Sequence, residues 1–302
     1  METILSNGSD QQQAVTLTDH PLPAFLGSDC GLKVLSADTY HQNPAVGSSG
    51  LKKIMRSPAH YQEFRLNPPE PTPTMQFGTA FHTALLEPDV FSRDYAVAPK
   101  FDRRTKKGKE AAEAWDSVNA SKTALTREQT DSIQKMVASV RAHTGASLVL
   151  SNGIAEMSGF WKDEETGVAC KCRPDFIGYD PSGLYLVDVK TCCDASIEGF
   201  ARVIANLSYD VQAAFYIDGI RRVTGLTPKQ FIFIAVEKDA PHMTAVYTAS
   251  NEMIAIGREK YRGALQLLKW CTQHKHWPGY QPHGLVESID LPRWAANFTL
   301  DD

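Results

Sequence analysis

No stretch of this sequence is apolar for long enough to cross a membrane. The longest strongly apolar run, Phe231-Ile232-Phe233-Ile234-Ala235-Val236, is far short of the roughly 20 residues a spanning helix requires. Residues 1–10 have neither the basic nor the apolar segment of an export signal, so a cytoplasmic location is expected and a membrane role is not. Cysteine is sparse, at positions 30, 170, 172, 192, 193 and 271. The spacings are Cys-x-Cys and Cys-Cys, not the Cys-x₂₋₄-Cys pairs of a zinc site, and a chain of 302 residues without an export signal is a poor setting for a disulfide framework. Buried thiols are the expectation, and a metal-cluster protein is the alternative. An excess of charge is also missing. The formal net charge of −4 excludes a protein that is basic all over, but not a nucleic-acid enzyme whose cations line one channel while its carboxylates hold metal. There is no internal repeat. With 42% hydrophobic and 22% charged residues, the chain is ordinary for a globular protein. Residues 1–33 lack periodicity and contain Gln11-Gln12-Gln13 and Pro-Leu-Pro, the composition of a mobile or loosely attached arm. Residues 34–302 are expected to form a single domain.

What is present is densest between Cys170 and Cys193, which reads as two strands around a turn. Asp180-Pro181-Ser182-Gly183 is turn chemistry. Leu184-Tyr185-Leu186-Val187 is apolar at every position, as in a strand covered on both faces. It runs into Asp188-Val189-Lys190, whose two charges share a face because side chains alternate along a strand. If Asp180 pairs with Gly183, Asp175 falls opposite Asp188 and Arg173 opposite Lys190. Facing carboxylates repel unless a cation sits between them, and a hard divalent cation fits oxygen donors. The Arg–Lys clash predicts that the ladder opens or bulges there. The same register sets Cys170, Cys172 and Cys193 on the face away from the two aspartates.

Elsewhere the pattern is helical over 48–66, broken at Pro58, with Ser48 or Ser49 available as a cap and Lys52, Lys53 and Arg56 nearby. Residues 67–73 are too rich in proline for anything but an extended connection. A short helix follows over 75–87, ended by Pro88, with Gly78 and His82 one turn apart. The glycine would admit a close backbone, with the histidine held beside that contact. Residues 89–110 read as a long connection holding Lys100, Arg103, Arg104, Lys106, Lys107 and Lys109. It is the densest basic cluster and the first candidate for contacting phosphates. Two helices come next, the second opened by the capping box Thr126-Arg127-Glu128-Gln129. Residues 154–161 read as one strand with Glu156, Ser158 and Phe160 on one face. Residues 195–220 read as a helix carrying Gln212 and Tyr216. Strands over 231–236 and 243–248 and a helix over 252–270 follow. The aromatic tail from His276 is expected to pack on the domain surface.

Taken in order, Gly78-x-x-x-His82, Arg173-Pro174-Asp175, Asp188-Val189-Lys190 and Gln212-x-x-x-Tyr216 resemble the RecB-type branch of the PD-(D/E)xK nucleases. Ser48-Ser49-Gly50-Leu51, Ser57-Pro58-Ala59-His60-Tyr61, His82-x-x-Leu85-Leu86-Glu87-Pro88 and Ala155-Glu156-x-Ser158 look like the nuclease domains of the RecE (exonuclease VIII) type, over roughly residues 35–295. The resemblance implies an α/β fold: a mixed central β-sheet flanked by helices, with a restriction-endonuclease-like core. It implies one or two Mg²⁺ ions, replaceable by Mn²⁺, ligated by Asp175, Asp188, the Val189 carbonyl and His82. Lys190 would orient or deprotonate the attacking water. Gln212 and Tyr216 would position the site, with Glu156 close by. It further implies a 5′-to-3′ exonuclease entering at double-stranded DNA ends, a ring-shaped homo-oligomer, and a single-strand annealing partner of the RecT type. A structure-specific or restriction-type endonuclease would use the same residues, and a non-catalytic DNA-binding module is a further alternative.

Overall fold

The computed structural model describes residues 31–281 and 283–292. Most of the expected arm therefore lies outside the described residues, but its last residues do not: Leu32–Val34 is strand β1. Helices α1 (Ala37–Gln42), α2 (Ser48–Arg56), α3 (Pro58–Leu66), α4 (Pro73–Leu86) and α5 (Pro88–Asp94) follow. Three prolines fall where they cost least. Pro58, Pro73 and Pro88 all occupy the first turn of a helix, where an N–H would have no intrahelical partner. The expected serine cap of α2 is not formed, because Ser48 lies inside the helix and Gly47 is the N-cap.

The stretch 89–110 is not one connection. It contains α5, strand β2 (Tyr95–Val97) and the start of α6 (Lys106–Val118). Strand β3 (Thr123–Leu125) pairs in parallel with β2. Helix α7 (Arg127–Ala142) opens with the expected capping box, and α8 (Thr144–Val149) follows. The central strands are β4 (Gly153–Ala155), β5 (Met157–Lys162), β6 (Ala169–Cys172), β7 (Phe176–Asp180) and β8 (Gly183–Cys192). The helical stretch after β8 is two helices, α9 (Ile197–Leu207) and α10 (Tyr209–Thr224), separated by Ser208 at φ 51°. Strands β9 (Gln230–Glu237) and β10 (Thr244–Thr248) and helix α11 (Asn251–His274) complete the order. Beyond it the tail packs on α3: Trp277 stacks on Tyr61 at 5.7 Å, and Tyr280 accepts a hydrogen bond from Arg56 Nε at 2.8 Å.

The main sheet has five strands in the order β10-β9-β8-β7-β4, with β8 and β9 parallel and the other pairs antiparallel. A three-stranded antiparallel sheet, β1-β5-β6, stands beside it. Alternation along β8 divides the core in two. Leu184, Leu186 and Cys192 join the cluster built with α2, α10 and α11, while Tyr185, Val187 and Val189 join the cluster built with α4 and α7. Strand β9 does the same, with Phe231, Phe233 and Ala235 on the first side and Ile232, Ile234 and Val236 on the second. Each large apolar side chain buried this way contributes about 1.5–3 kcal/mol. These contributions hold in place the one charged residue on β8 that has no access to water. That residue is Asp188, 0% exposed on the face of Leu184 and Leu186.

Candidate active site

The site forms where two adjacent antiparallel strand pairs change sheets together. On one side β4 ends at Ala155, opposite Phe176 of β7, while β5 starts at Met157 and pairs with β6. The residue between them, Glu156, has φ 56°, a left-handed conformation that few side chains adopt. On the other side β6 ends at Cys172 and β7 starts at Phe176, so Arg173-Pro174-Asp175 makes the matching crossing. Pro174 has no N–H to give a ladder, which suits it to this break. The two crossings are tied by a Glu156 N–H to Asp175 carbonyl bond of 3.1 Å and by Arg173 Nε to Glu156 Oε2 at 2.5 Å.

This geometry corrects two readings of the sequence. The strand expected over 154–161 is two strands in two sheets, and the stretch from Cys170 to Cys193 holds three strands, not two. The hairpin register is as expected, with Asp180 opposite Gly183 and Phe176 opposite Val187. The ladder, however, opens at Asp175, before Arg173 is reached. Asp175 is not a ladder residue facing Asp188; its Oδ2 accepts the Val189 N–H at 2.7 Å. Cys170, Cys172, Cys192 and Cys271 are buried thiols as expected, but Cys170 and Cys172 do not lie on the face the hairpin register implied. Cys170 and Cys172 are buried in the cluster on Asp188's own side of β8, Cys192 is buried there too, and Cys193 is exposed.

A cleft of about 300 Å³ opens over the crossings, lined by Gly78, His82, Glu156, Arg173 and Asp175 among others. Helix α4 brings in His82, whose Nδ1 lies 3.4 Å from Asp175 Oδ2. His82, Glu156 and Asp175 each offer a donor atom within 4.8 Å of the others, enough to hold one metal ion. Gly78 does not serve a close backbone contact, since a Cβ added there would meet nothing within 4 Å. It keeps this wall of the cleft open.

Asp188 lies behind the cleft. Gln212, on the buried face of α10, donates its Nε2 to Asp188 Oδ1 at 2.8 Å, and Lys190 Nζ stands 2.5 Å from Oδ2. Lys190 is thus the partner of Oδ2, and no second donor reaches that buried oxygen among the described residues. Burial pushes the Asp188 carboxyl up to about 6, with Lys190 opposing and Asp175 adding to the rise. Burial works against the charge on Lys190, but Asp188 and Asp175 outweigh it and hold the ammonium above the ordinary lysine range. Glu156 is pushed up to about 8 by burial and then by the Asp175 charge, against the pull of Arg173.

These acids therefore resist ionising together, and Lys190 and Arg173 do not offset the three carboxylates of Glu156, Asp175 and Asp188. A divalent cation supplies the missing positive charge. Oxygen donors with one imidazole suit the hard cations of the Mg²⁺ and Mn²⁺ kind. Of the expected metal set, the structure brings His82 and Asp175 together and places Asp188 beside them. It adds Glu156 as the third donor and shows Val189 engaged through its N–H. The resemblance puts Glu156 near the site through Ala155-Glu156-x-Ser158, without making it a metal ligand. Tyr216 is buried on the same face of α10 as Gln212, with its hydroxyl toward the Ser48 side chain of α2.

The basic cluster lies apart from the cleft, and none of its residues lines it. Lys100, Arg103, Arg104 and Lys106 pair at the surface with Glu128, Asp116, Asp102 and Glu110, at 2.6, 3.4, 3.0 and 3.9 Å. Lys107, in the first turn of α6, is exposed. No cysteine takes part in a candidate metal group among the described residues. No helix among them is long and apolar enough to cross a membrane.

No curated protein matches the chain. Among solved structures, one described as a "Putative exonuclease" from Eubacterium rectale superposes with a TM-score of 0.57 at 12% identity, covering 88% of this chain and 100% of its own. At that identity the likeness speaks to the fold. Another, SSO0001, reaches a TM-score of only 0.25 at 14% identity over 45% of this chain and 68% of its own. The fold likeness and the paired crossings agree with a family-level match over residues 47–291, and the chain belongs to the family described as the PDDEXK-like domain of unknown function (DUF3799).

Proposed function

We propose that the protein is a Mg²⁺-dependent exonuclease that enters at double-stranded DNA ends, digests the 5′-ended strand and releases 5′-mononucleotides. The observation that carries this reading is the convergence of His82, Glu156 and Asp175 with the Asp188–Lys190–Gln212 group at the double sheet crossing. PD-(D/E)xK nucleases as a class use divalent metals, and the description of the Eubacterium rectale structure points the same way.

His82, Glu156, Asp175 and Asp188 would hold the ion, and once bound it would polarise the scissile phosphate and lower the pKa of the attacking water. The chain's own residues prepare the rest. Gln212 fixes the Asp188 carboxylate through Oδ1, with Oδ2 turned toward Lys190. Lys190 is kept charged by its acidic neighbours, so it donates to the water or to the phosphoryl oxygens, where negative charge accumulates. The water oxygen bonds to phosphorus, the bond from phosphorus to the 3′ oxygen breaks, and a proton from the water ends on that oxygen. Arg173, through its bond to Glu156, holds one acid in place and offsets part of the cluster's charge.

The reading extends to a ring-shaped homo-oligomer that keeps a protein of net charge −4 on DNA by confinement. It extends also to an annealing partner of the RecT type that takes the 3′ single strand. The test is a linear duplex labelled at the 5′ or the 3′ end, with Mg²⁺, with Mn²⁺ and with chelator. Metal-dependent release of 5′-labelled mononucleotides is expected, abolished by Asp188→Ala and Lys190→Ala. Cutting of covalently closed circles would replace this reading with an endonuclease. Wild-type rates in either variant would remove the mechanism.

A further inference from the structure

Gln212 and Tyr216 share one face of α10, and Tyr209 stands on that face one turn earlier, since positions three, four and seven apart lie on one side of a helix. On α2, Ser48 and Lys52 are likewise one turn apart on one face. The two faces meet in opposite order. The Ser48 side chain lies against Tyr216, and Lys52 Nζ lies 4.8 Å from the centre of the Tyr209 ring. Lys190 Nζ lies 4.7 Å from the centre of that same ring. Two ammonium groups thus share one tyrosine beside Asp188, on the side of the sheet opposite to that from which α4 brings His82.

Their surroundings differ. Lys190 has Asp188 as a partner. The ammonium of Lys52, which is half-buried, has no hydrogen-bond acceptor and no carboxylate at ion-pair distance among the described residues. The carboxylates whose charge it senses are Asp188 and then Asp210, and these are already paired, with Lys190 at 2.5 Å and with Lys260 at 2.6 Å. Burial and then the Lys190 charge lower the Lys52 pKa to about 8. The fold is able to satisfy a buried lysine where the role is structural. Lys171 Nζ donates to the carbonyls of Tyr40, His41 and Asn43 at 2.6, 3.3 and 2.8 Å. A half-buried cation with unused donors, set next to a second cation, is a site for an anion.

We propose that Lys52, Lys190 and Tyr209 form a phosphate subsite, in which Lys52 Nζ donates to a non-bridging oxygen of the substrate phosphodiester from the α2–α10 side. The inference rests on the nuclease reading and adds to it a substrate-contacting residue outside the motifs. Lys52→Met and Lys52→Arg are to be compared with wild type, with Asp188→Ala as the inactive control. Duplex binding is measured with Ca²⁺ replacing Mg²⁺ over a range of salt, alongside hydrolysis with Mg²⁺ and thermal unfolding without DNA. Lys52→Met should weaken binding roughly tenfold, the loss of one charge-assisted contact. The slope of log affinity against log salt should fall by about 0.9, the unfolding temperature should not fall, and Lys52→Arg should restore most of the binding. Unchanged binding and salt slope in Lys52→Met, with wild type active, overturn this inference and leave the nuclease reading standing. Weaker binding that tracks a lowered unfolding temperature at an unchanged salt slope also overturns it. A wild-type protein that neither binds nor cuts duplex removes both.

Discussion

The metal-free protein should lose stability as pH rises through neutrality, and Glu156 should be the main cause. Its carboxyl is held up at about 8 against an ordinary 4.5 by burial and by Asp175. The folded state therefore binds a proton that the unfolded chain has released. A raised acid gives stability that is complete below the unfolded pKa and is lost as pH climbs through the folded one. The window runs from 4.5 to about 8. At about 1.4 kcal/mol per unit, the loss between pH 5 and pH 8 is on the order of 3 kcal/mol. Glu156→Gln keeps an oxygen for Arg173 and has no proton to lose, so its stability should vary less with pH by that amount. The assay is urea unfolding of both proteins in chelator at pH 5, 6.5 and 8, comparing the difference between them so that other titrating groups cancel. Adding Mn²⁺ at pH 8 should stabilise wild type more than the variant, because the ion binds the folded state and favours the ionised carboxylates. Parallel pH curves for the two proteins would refute the reasoning, since Glu156 would then be no more perturbed than a surface acid.

Gln212→Ala removes the donor to Asp188 Oδ1 in a site without water access. It should cost about 1–3 kcal/mol in denaturant unfolding and shift the acidic limb of the pH–rate profile to higher pH, because the neutral acid is then favoured. Gly257→Ala should be more damaging than its size suggests, since the added Cβ would meet the Asp210 carbonyl oxygen at 2.1 Å and its carbon at 2.5 Å. Backbone cannot swing aside, so separation of α10 from α11 should lower stability by about 1–3 kcal/mol or more, with activity falling as Gln212 moves. Gly78→Ala should do the reverse to stability, raising it by about 0.5–1 kcal/mol in the interior of α4. Duplex hydrolysis should still fall if the open wall of the cleft admits substrate; an unimpaired rate would show that DNA does not pass over Gly78.

The elements legible beforehand were those whose cause is local. Pro58 and Pro88 punctuate helices, Thr126 and Gln129 close a capping box, Asp180 and Gly183 fix a turn, and an unbroken apolar run marks β8 as a strand covered on both faces. The motif residues His82, Asp175, Asp188, Lys190, Gln212 and Tyr216 were likewise visible as residue types at helical and strand spacing. What periodicity could not carry was where a strand leaves one sheet for another. Glu156 alternates like its neighbours, and only pairing with β7 on one side and β6 on the other turns it left-handed and into the cleft beside His82 and Asp175. Lys52 is one lysine among several on an amphipathic helix until α10 packs against it and sets its ammonium over Tyr209. Sequence by itself determined the longer helices and strands and which chemistry they bring, because those depend on near neighbours. The tertiary structure alone decided that Glu156 offers a donor atom beside His82 and Asp175, and that the Lys52 ammonium meets a tyrosine ring and no carboxylate at ion-pair distance among the described residues. Both are set by contacts between segments far apart in the chain, whose distances no local pattern encodes.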